Sequence, residues 1–233
     1  MKYTELQESV FEANIALGNT NLVVMTWGNV SGISEDRSVM AIKPSGMGYK
    51  EMRPHHMVLV EIASGRVLEG TIKPSSDTLT HLHLYKAFAG INAIAHTHSV
   101  SAVSWAQACR PIPAFGTTHA DTFYGPVPVT RPLSEDEVNS AYELNTGLVI
   151  AEHLTQNGID PTAVPAVLVA SHGPFTWGAT PMKAVENSIV LEEVAKMALN
   201  TILIEQATTA VPDYLLDKHY FRKHGPGAYY GQG

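Results

Sequence analysis

Behind Thr4, the apolar residues Leu6, Val10, Ala13 and Leu17 recur at helical spacing. Thr4 with Gln7 predicts a capping box there, and Gly18 ends the helix. Short apolar runs follow at Leu22 to Met25, Val39 to Lys43, Met57 to Glu61 and Arg66 to Leu68. Each predicts a strand, with Ser64-Gly65 as a hairpin turn. Ser76 to Ala89 predicts a helix with Leu79, Leu82 and Phe88 as its apolar contacts. The run Ile91-Asn-Ala-Ile-Ala-His-Thr-His98 predicts a buried strand, then an Ala-rich helix through about Cys109. A Pro-rich stretch covers Arg110 to Pro132. Ser134 with Glu137 signals a helix reaching about Asn157, closed by Gly158. Ala166 to Ala170 predicts a strand leading into His172, and Thr180-Pro181 opens a long helix through about Gln206. Pro212 opens a last helix, closed by Gly225. Strands in series mixed with helices predict an α/β sandwich with a mixed or mostly antiparallel sheet. With no internal repeat and no linker, residues 1–233 read as a single domain.

Composition narrows the function classes. Apolar residues make up 45% of the 233 and charged residues 16%, as in a soluble globular protein. A net charge of −7 argues against broad nucleic-acid binding, yet a local cationic pocket suffices for a phosphate. The lone cysteine, Cys109, excludes an internal disulfide and fits a reducing cytoplasm. It reads as a small buried helix residue. No apolar stretch reaches transmembrane length, and acidic residues stand where a signal peptide needs an apolar core. The expectation is a cytoplasmic protein with no membrane partner.

The sharpest chemical signal is His96-Thr97-His98. Side chains two apart on a strand share a face, so the two imidazoles form half of a metal site or a hydrogen-bonded pair at a strand end. His172, ending another apolar run, is a third candidate, and Asp77 in Lys73-Pro-Ser-Ser-Asp77 an acidic fourth. Three imidazoles and a carboxylate suit a borderline divalent ion such as zinc. His81-Leu82-His83 has the same spacing, but on a helix residues two apart do not face each other. His81 and His83 are therefore poor co-ligands.

Polar, glycine-bearing segments fall at strand ends: Thr26-Trp-Gly-Asn29, Lys43-Pro-Ser-Gly46 and Ser75-Ser76. Helix N-termini and glycine turns present backbone N–H groups to an anion, and Lys43 adds a full charge. Each segment is also an ordinary turn. Asp121, in Thr117-Thr-His-Ala-Asp121, reads as a turn residue or as an acid/base group facing the metal pocket. His219 and Arg222 lie on one helical face, placed to clamp an anion or to form a solvated cationic helix end. Adjacent tyrosines in Gly227-Ala-Tyr-Tyr230-Gly-Gln-Gly suggest a tail that docks.

In this order, these segments together with Ser171-His172-Gly173 and Lys218-His219-Tyr-Phe-Arg222 resemble the class II aldolase/epimerase family over nearly the whole chain. The resemblance implies a three-layer sandwich with a central, mostly antiparallel sheet flanked by helices. It implies one zinc ion per subunit held by His96, His98, His172 and Asp77. Asp121 and Tyr230 match the family's acid/base pair. Gly28, Asn29, Lys43, Ser45, Gly46, Ser75 and Ser76 match substrate- and phosphate-binding positions; Thr117, Glu143, His219 and Arg222 match further active-site residues. A homotetramer with active sites at subunit interfaces is also implied, Tyr230 coming from a neighbouring subunit.

Within the family, Asp rather than Glu at position 77 favours the epimerase branch. Its substrate would be a phosphorylated ketopentose, interconverting L-ribulose 5-phosphate and D-xylulose 5-phosphate at C4. The C4 hydrogen is not alpha to the C2 carbonyl, so inversion requires C3–C4 cleavage and re-formation, with the metal stabilising the enediolate. A sugar-phosphate aldolase of the L-fuculose- or L-rhamnulose-phosphate type is the nearest alternative. A zinc hydrolase lacks support, since no H-E-x-x-H is present. A structural zinc site would ordinarily be cysteine-rich. Whether arabinose, ascorbate or another sugar feeds the reaction stays open.

Overall fold

The computed structural model describes residues 3–230; Gly231 to Gly233 of the tail lie outside them. Strands β1 (Asn29–Ile33), β2 (Val39–Ile42), β3 (Val58–Glu61), β4 (Ala93–His96), β5 (Ala166–Val169) and β6 (Gly173–Gly178) form one sheet in the order β3-β2-β1-β4-β6-β5. Every neighbouring pair is antiparallel. The helices are α1 (Thr4–Gly18), α2 (Thr78–Ala87), α3 (Val100–Gln107), α4 (Thr117–Ala120), α5 (Glu135–Asn139), α6 (Tyr142–Gln156), α7 (Pro181–Ile204) and α8 (Asp213–Phe221).

The period of two along β4 explains the layers. Ile94 packs with Leu82 and Tyr85 of α2 and with Ile150 and Leu154 of α6. Ala93 and Ala95 point the other way, onto Ala13 and Leu17 of α1 and Ala184 and Val185 of α7. The sheet is thus covered on both faces, the expected three-layer sandwich. Burying a side chain the size of Ile94 contributes roughly 1.5–3 kcal/mol. Among the described residues, no helix is long and apolar enough to cross a membrane.

Several local expectations need correction. Leu22 to Met25 is not a strand; Leu22 packs into the core and Met25 takes a positive φ of 56°. The strand lies further on, in Asn29–Ile33, whose polar and small residues hide it from a hydrophobic pattern. It is buried between β2 and β4, and a Cβ on Gly32 would sit 2.8 Å from Pro181 at the start of α7. At the chain's start, Tyr3 is the N-cap of α1, while the Gln7 amide donates to the Met57 carbonyl at 2.8 Å. Arg66 to Leu68 contributes an isolated bridge, Val60 to Val67, too short for a strand. Cys109 is exposed at φ 51°, just past α3, rather than buried in it.

Two further corrections shape the site. The helix expected from Ser134 to Asn157 breaks at Ser140 (φ −98°, ψ −89°), where the Asn145 amide donates to the Glu137 carbonyl and Ser140 Oγ. The Ser134–Glu137 capping box is present on the short α5, and α6 restarts at Tyr142. On α2, Leu79 is exposed, whereas Thr80, His81 and Tyr85 are buried.

Candidate metal centre

His96 ends β4 and is buried at 2% exposure; His98 follows where the strand has finished. His172 sits in the tight reversal between β5 and β6, made possible by Ser171 at φ 61°. β5 ends at Val169, before His172, and Gly173-Pro174 opens β6; proline is tolerated near a strand's start. One ligand atom from each of His96, His98 and His172 falls within 4.8 Å of the others. His96 Nδ1–H donates to the Pro174 carbonyl at 2.9 Å, which leaves its Nε2 with a free lone pair. That Nε2 lies 3.0 Å from His98 Nε2. Two ring nitrogens so close share a proton or a cation, so the donor set fits a metal ion.

Aromatic neighbours hold the rings. Phe175 stacks on His96 at 4.2 Å between centroids, and Trp27 lies 5.8 Å from His98. The Tyr142 hydroxyl is 3.2 Å from His172 Nδ1, leaving that ring's Nε2 for the cluster. Burial, reinforced by His96 and His98, pushes His172 down to about 3. Burial and His96 also lower His98. Both shifts favour the neutral ring, the form that ligates.

The three histidines form one wall of a cavity of about 420 Å³. Gly28, Asn29, Lys43, Ser45, Gly46, Ser75, Ser76, Asp77 and Glu143 line it too. Asn29 opposes His96 in the β1–β4 ladder, and its amide donates to Asp77 Oδ2 at 2.6 Å and Ser75 Oγ at 3.1 Å. Asp77, the N-cap of α2, is close to the histidines without joining the 4.8 Å group. Burial opposes its ionisation, but His96, His81 and the Asn29 amide outweigh that and keep the carboxyl below the ordinary range. Gly28 has φ 74°, and a Cβ there would lie 2.8 Å from the His96 carbonyl oxygen. The loops around Ser45 and Ser75 are tied together: Ser45 N donates to Lys73 O and Ser75 N to Lys43 O, both at 2.9 Å. Lys43 is buried, donating to the Thr26 carbonyl at 3.1 Å. Desolvation lowers its pKa and the attraction of Asp77 only partly offsets this.

The other expected residues gather elsewhere. Asp121 caps α4, which begins at Thr117. Its carboxylate contacts His219 Nδ1 at 3.0 Å, Arg222 Nη2 at 2.9 Å and Lys223 Nζ at 3.2 Å. Burial raises the Asp121 pKa, but these three donors outweigh it and lower the carboxyl. Tyr230, half exposed, lies over the Arg222 guanidinium at 4.6 Å. None of Thr117, Asp121, His219, Arg222 and Tyr230 lines the histidine cavity. Asp121 and Tyr230 border a separate cavity of about 780 Å³ against α7. The sequence reading missed Tyr142 and the Pro174 carbonyl. A lone tyrosine at a helix start and a backbone oxygen carry no motif.

An antiparallel sheet between helix layers, with histidines meeting at its strand ends, defines the class II aldolase fold. The family model for the class II aldolase and adducin N-terminal domain matches residues 8–199, and the chain belongs to this family. It is 50% identical over 228 residues to a protein of Salmonella paratyphi C (strain RKS4594) named L-ribulose-5-phosphate 4-epimerase UlaF, covering 98% of this chain and 99% of that one. Among solved structures, an L-fuculose 1-phosphate aldolase superposes with a TM-score of 0.77 at 25% identity, covering 94% of this chain and 95% of the other. An L-fuculose 1-phosphate aldolase from Glaciozyma antarctica PI12 gives 0.76 at 20% identity over 97% and 84%.

Proposed function

We propose that this chain interconverts L-ribulose 5-phosphate and D-xylulose 5-phosphate by breaking and re-forming the C3–C4 bond. The observation that carries this is the convergence of three imidazoles opposite a wall of serines and glycines in one cavity. His96, His98 and His172 would hold the divalent ion, zinc in our reading, with Asp77 as the acidic member of the site. When bound, that ion supplies Lewis-acid stabilisation of the charge left on the ketose fragment after cleavage. Gly46, Ser75 and Ser76 are suited to the phosphate, with the Lys43 amine lining the same cavity. An anchored phosphate lets the aldehyde fragment turn over without leaving. Asp121 and Tyr230 are the acid/base groups, taking the proton from the C4 oxygen on one side and returning it on the other.

The separation of Asp121 and Tyr230 from the histidine cavity supports a composite site, one half from each of two neighbouring copies in a homotetramer. A sugar-phosphate aldolase of the L-fuculose- or L-rhamnulose-phosphate type would use the same histidines and differ only in releasing its fragments. A coupled assay for D-xylulose 5-phosphate from L-ribulose 5-phosphate, with and without chelator, tests the reading. Pentose phosphate formed only with metal supports it; free dihydroxyacetone and glycolaldehyde phosphate would replace epimerase by aldolase. Full activity after exhaustive demetallation would refute both.

A further inference from the structure

The spacing rule that removes His81 from the ligand set leaves its burial unexplained. His81 is fully buried on α2, one turn after Asp77, and its Nε2 has no partner. Asn29 Oδ1, on the facing strand, is likewise buried and unpartnered. These two atoms belong to one seam. Asn29 and Ser31 share a face of β1, while Asp77 and His81 share a face of α2. Asn29 bonds Asp77, and Ser31 Oγ lies 2.7 Å from His81 Nδ1. The seam therefore has two rungs, with an orphaned nitrogen on one and an orphaned carbonyl oxygen on the other. Phe175, which stacks on His96, also meets the His81 ring edge-on at 6.0 Å.

The hydrogen positions follow from neighbours. Ser31 Oγ is also 2.6 Å from the buried Tyr85 hydroxyl. With the phenol as donor its hydrogen goes to Ser31 Oγ, and both hydroxyl hydrogens along the chain find an acceptor. Ser31 then gives its single hydrogen to His81 Nδ1. A neutral imidazole with an accepting Nδ1 carries its hydrogen on Nε2. The reverse direction, with Nδ1–H donating to Ser31, would leave one hydroxyl hydrogen, of Ser31 or of Tyr85, without an acceptor.

We propose that His81 is a positioning residue: its Nε2–H holds one buried water that donates to Asn29 Oδ1 and to the Asp77 carboxylate, bracing both against the cavity. Three partners are what a buried water ordinarily has. The bracing matters because an unpaired Asn29 carbonyl would be free to swing the amide away from Asp77. The tautomer stands on the seam alone; its consequence for turnover rests on the epimerase reading above.

Nitrogen-15 NMR of histidine-labelled, metal-free protein reads the tautomer directly. The expected His81 signals are a protonated Nε2 and an unprotonated Nδ1; the opposite pattern overturns the proposal. A crystal structure should hold a water within hydrogen-bond distance of His81 Nε2 and Asn29 Oδ1, and a dry seam overturns it. His81→Leu should lose about 10- to 100-fold in kcat with KM and metal content near those of the parent. His81→Gln, which keeps an N–H donor, should recover to within a few-fold. Equal defects in the two variants, or none in His81→Leu, count against bracing. Should His81→Leu fail to fold, Ser31→Ala keeps the imidazole and should mix its tautomers; a single unchanged tautomer there overturns the relay. A parent protein with no epimerase activity but the expected nitrogen pattern would sink the function and leave the tautomer standing.

Discussion

The histidine cavity and the Asp121 cluster are built from different materials. His96, His98 and His172 sit at strand ends, His96 buried, His172 half-buried and His98 exposed, with Phe175 stacked on His96 and carbonyl or hydroxyl partners orienting His96 and His172. Asp121, Arg222 and Tyr230 sit at a one-turn helix and in the C-terminal segment, the first two partly and Tyr230 half exposed, with Asp121 paired to Arg222 and Lys223 and the Tyr230 ring over Arg222. The first region is complete within one chain. The second is a set of acid/base candidates whose cavity shares no lining residue with the first. Pre-assembly suits groups that must stay neutral and converge on a cation, whereas proton carriers gain from a position set by assembly.

Breaking the first region should have the largest effect. His96→Asn should lose bound metal by elemental analysis, and turnover should fall on the order of a thousandfold. Full metal occupancy in that variant would remove His96 from the ligand set. Breaking the second region is milder: Tyr230→Phe should cut kcat by about a hundredfold while metal stays bound. Normal turnover would show the tail to be a bystander. Co-expression sharpens the contrast. Mixed oligomers of inactive His96→Asn and inactive Asp121→Asn chains should regain activity if the two regions meet across an interface, and stay dead if each chain works alone.

Acid should also separate the regions. His172 and His81 are pushed down to about 3 by burial, below their ordinary 6.5. The unfolded chain therefore binds more protons between those values, so the stabilisation is complete above about pH 6.5 and drains away as pH falls toward 3. The urea midpoint of metal-free protein should drop from pH 7 to pH 4.5; a flat profile would contradict neutral buried rings. Smallest of all, Ser134→Ala removes a cap that touches neither region. It should cost about 1 kcal/mol in the same urea titration, with metal content and kcat unchanged.

Much of this was legible from periodicity. The apolar runs before His96 and His172 placed those residues at strand ends, and capping residues located α5 and α7. What escaped did so for physical reasons. Asn29–Ile33 is central yet polar and glycine-bearing, because it must admit Pro181 on one face and hydrogen-bond Asp77 and His81 on the other. The break at Ser140 depends on an Asn145 bond that no hydrophobic pattern encodes. His81 escaped because its spacing from His83 says nothing of a partner fifty residues away, Ser31. The distance between Asp121 and the histidines is tertiary, and no motif contains it.

The reciprocal amide bonds between the stretches near Ser45 and Ser75 bring a last consequence. Segments thirty positions apart behave there as one plate, so a change in either should be felt as a change in both. Discrimination among guests of different reach would then evolve by moving the plate as a unit, not by adjusting its edges one at a time.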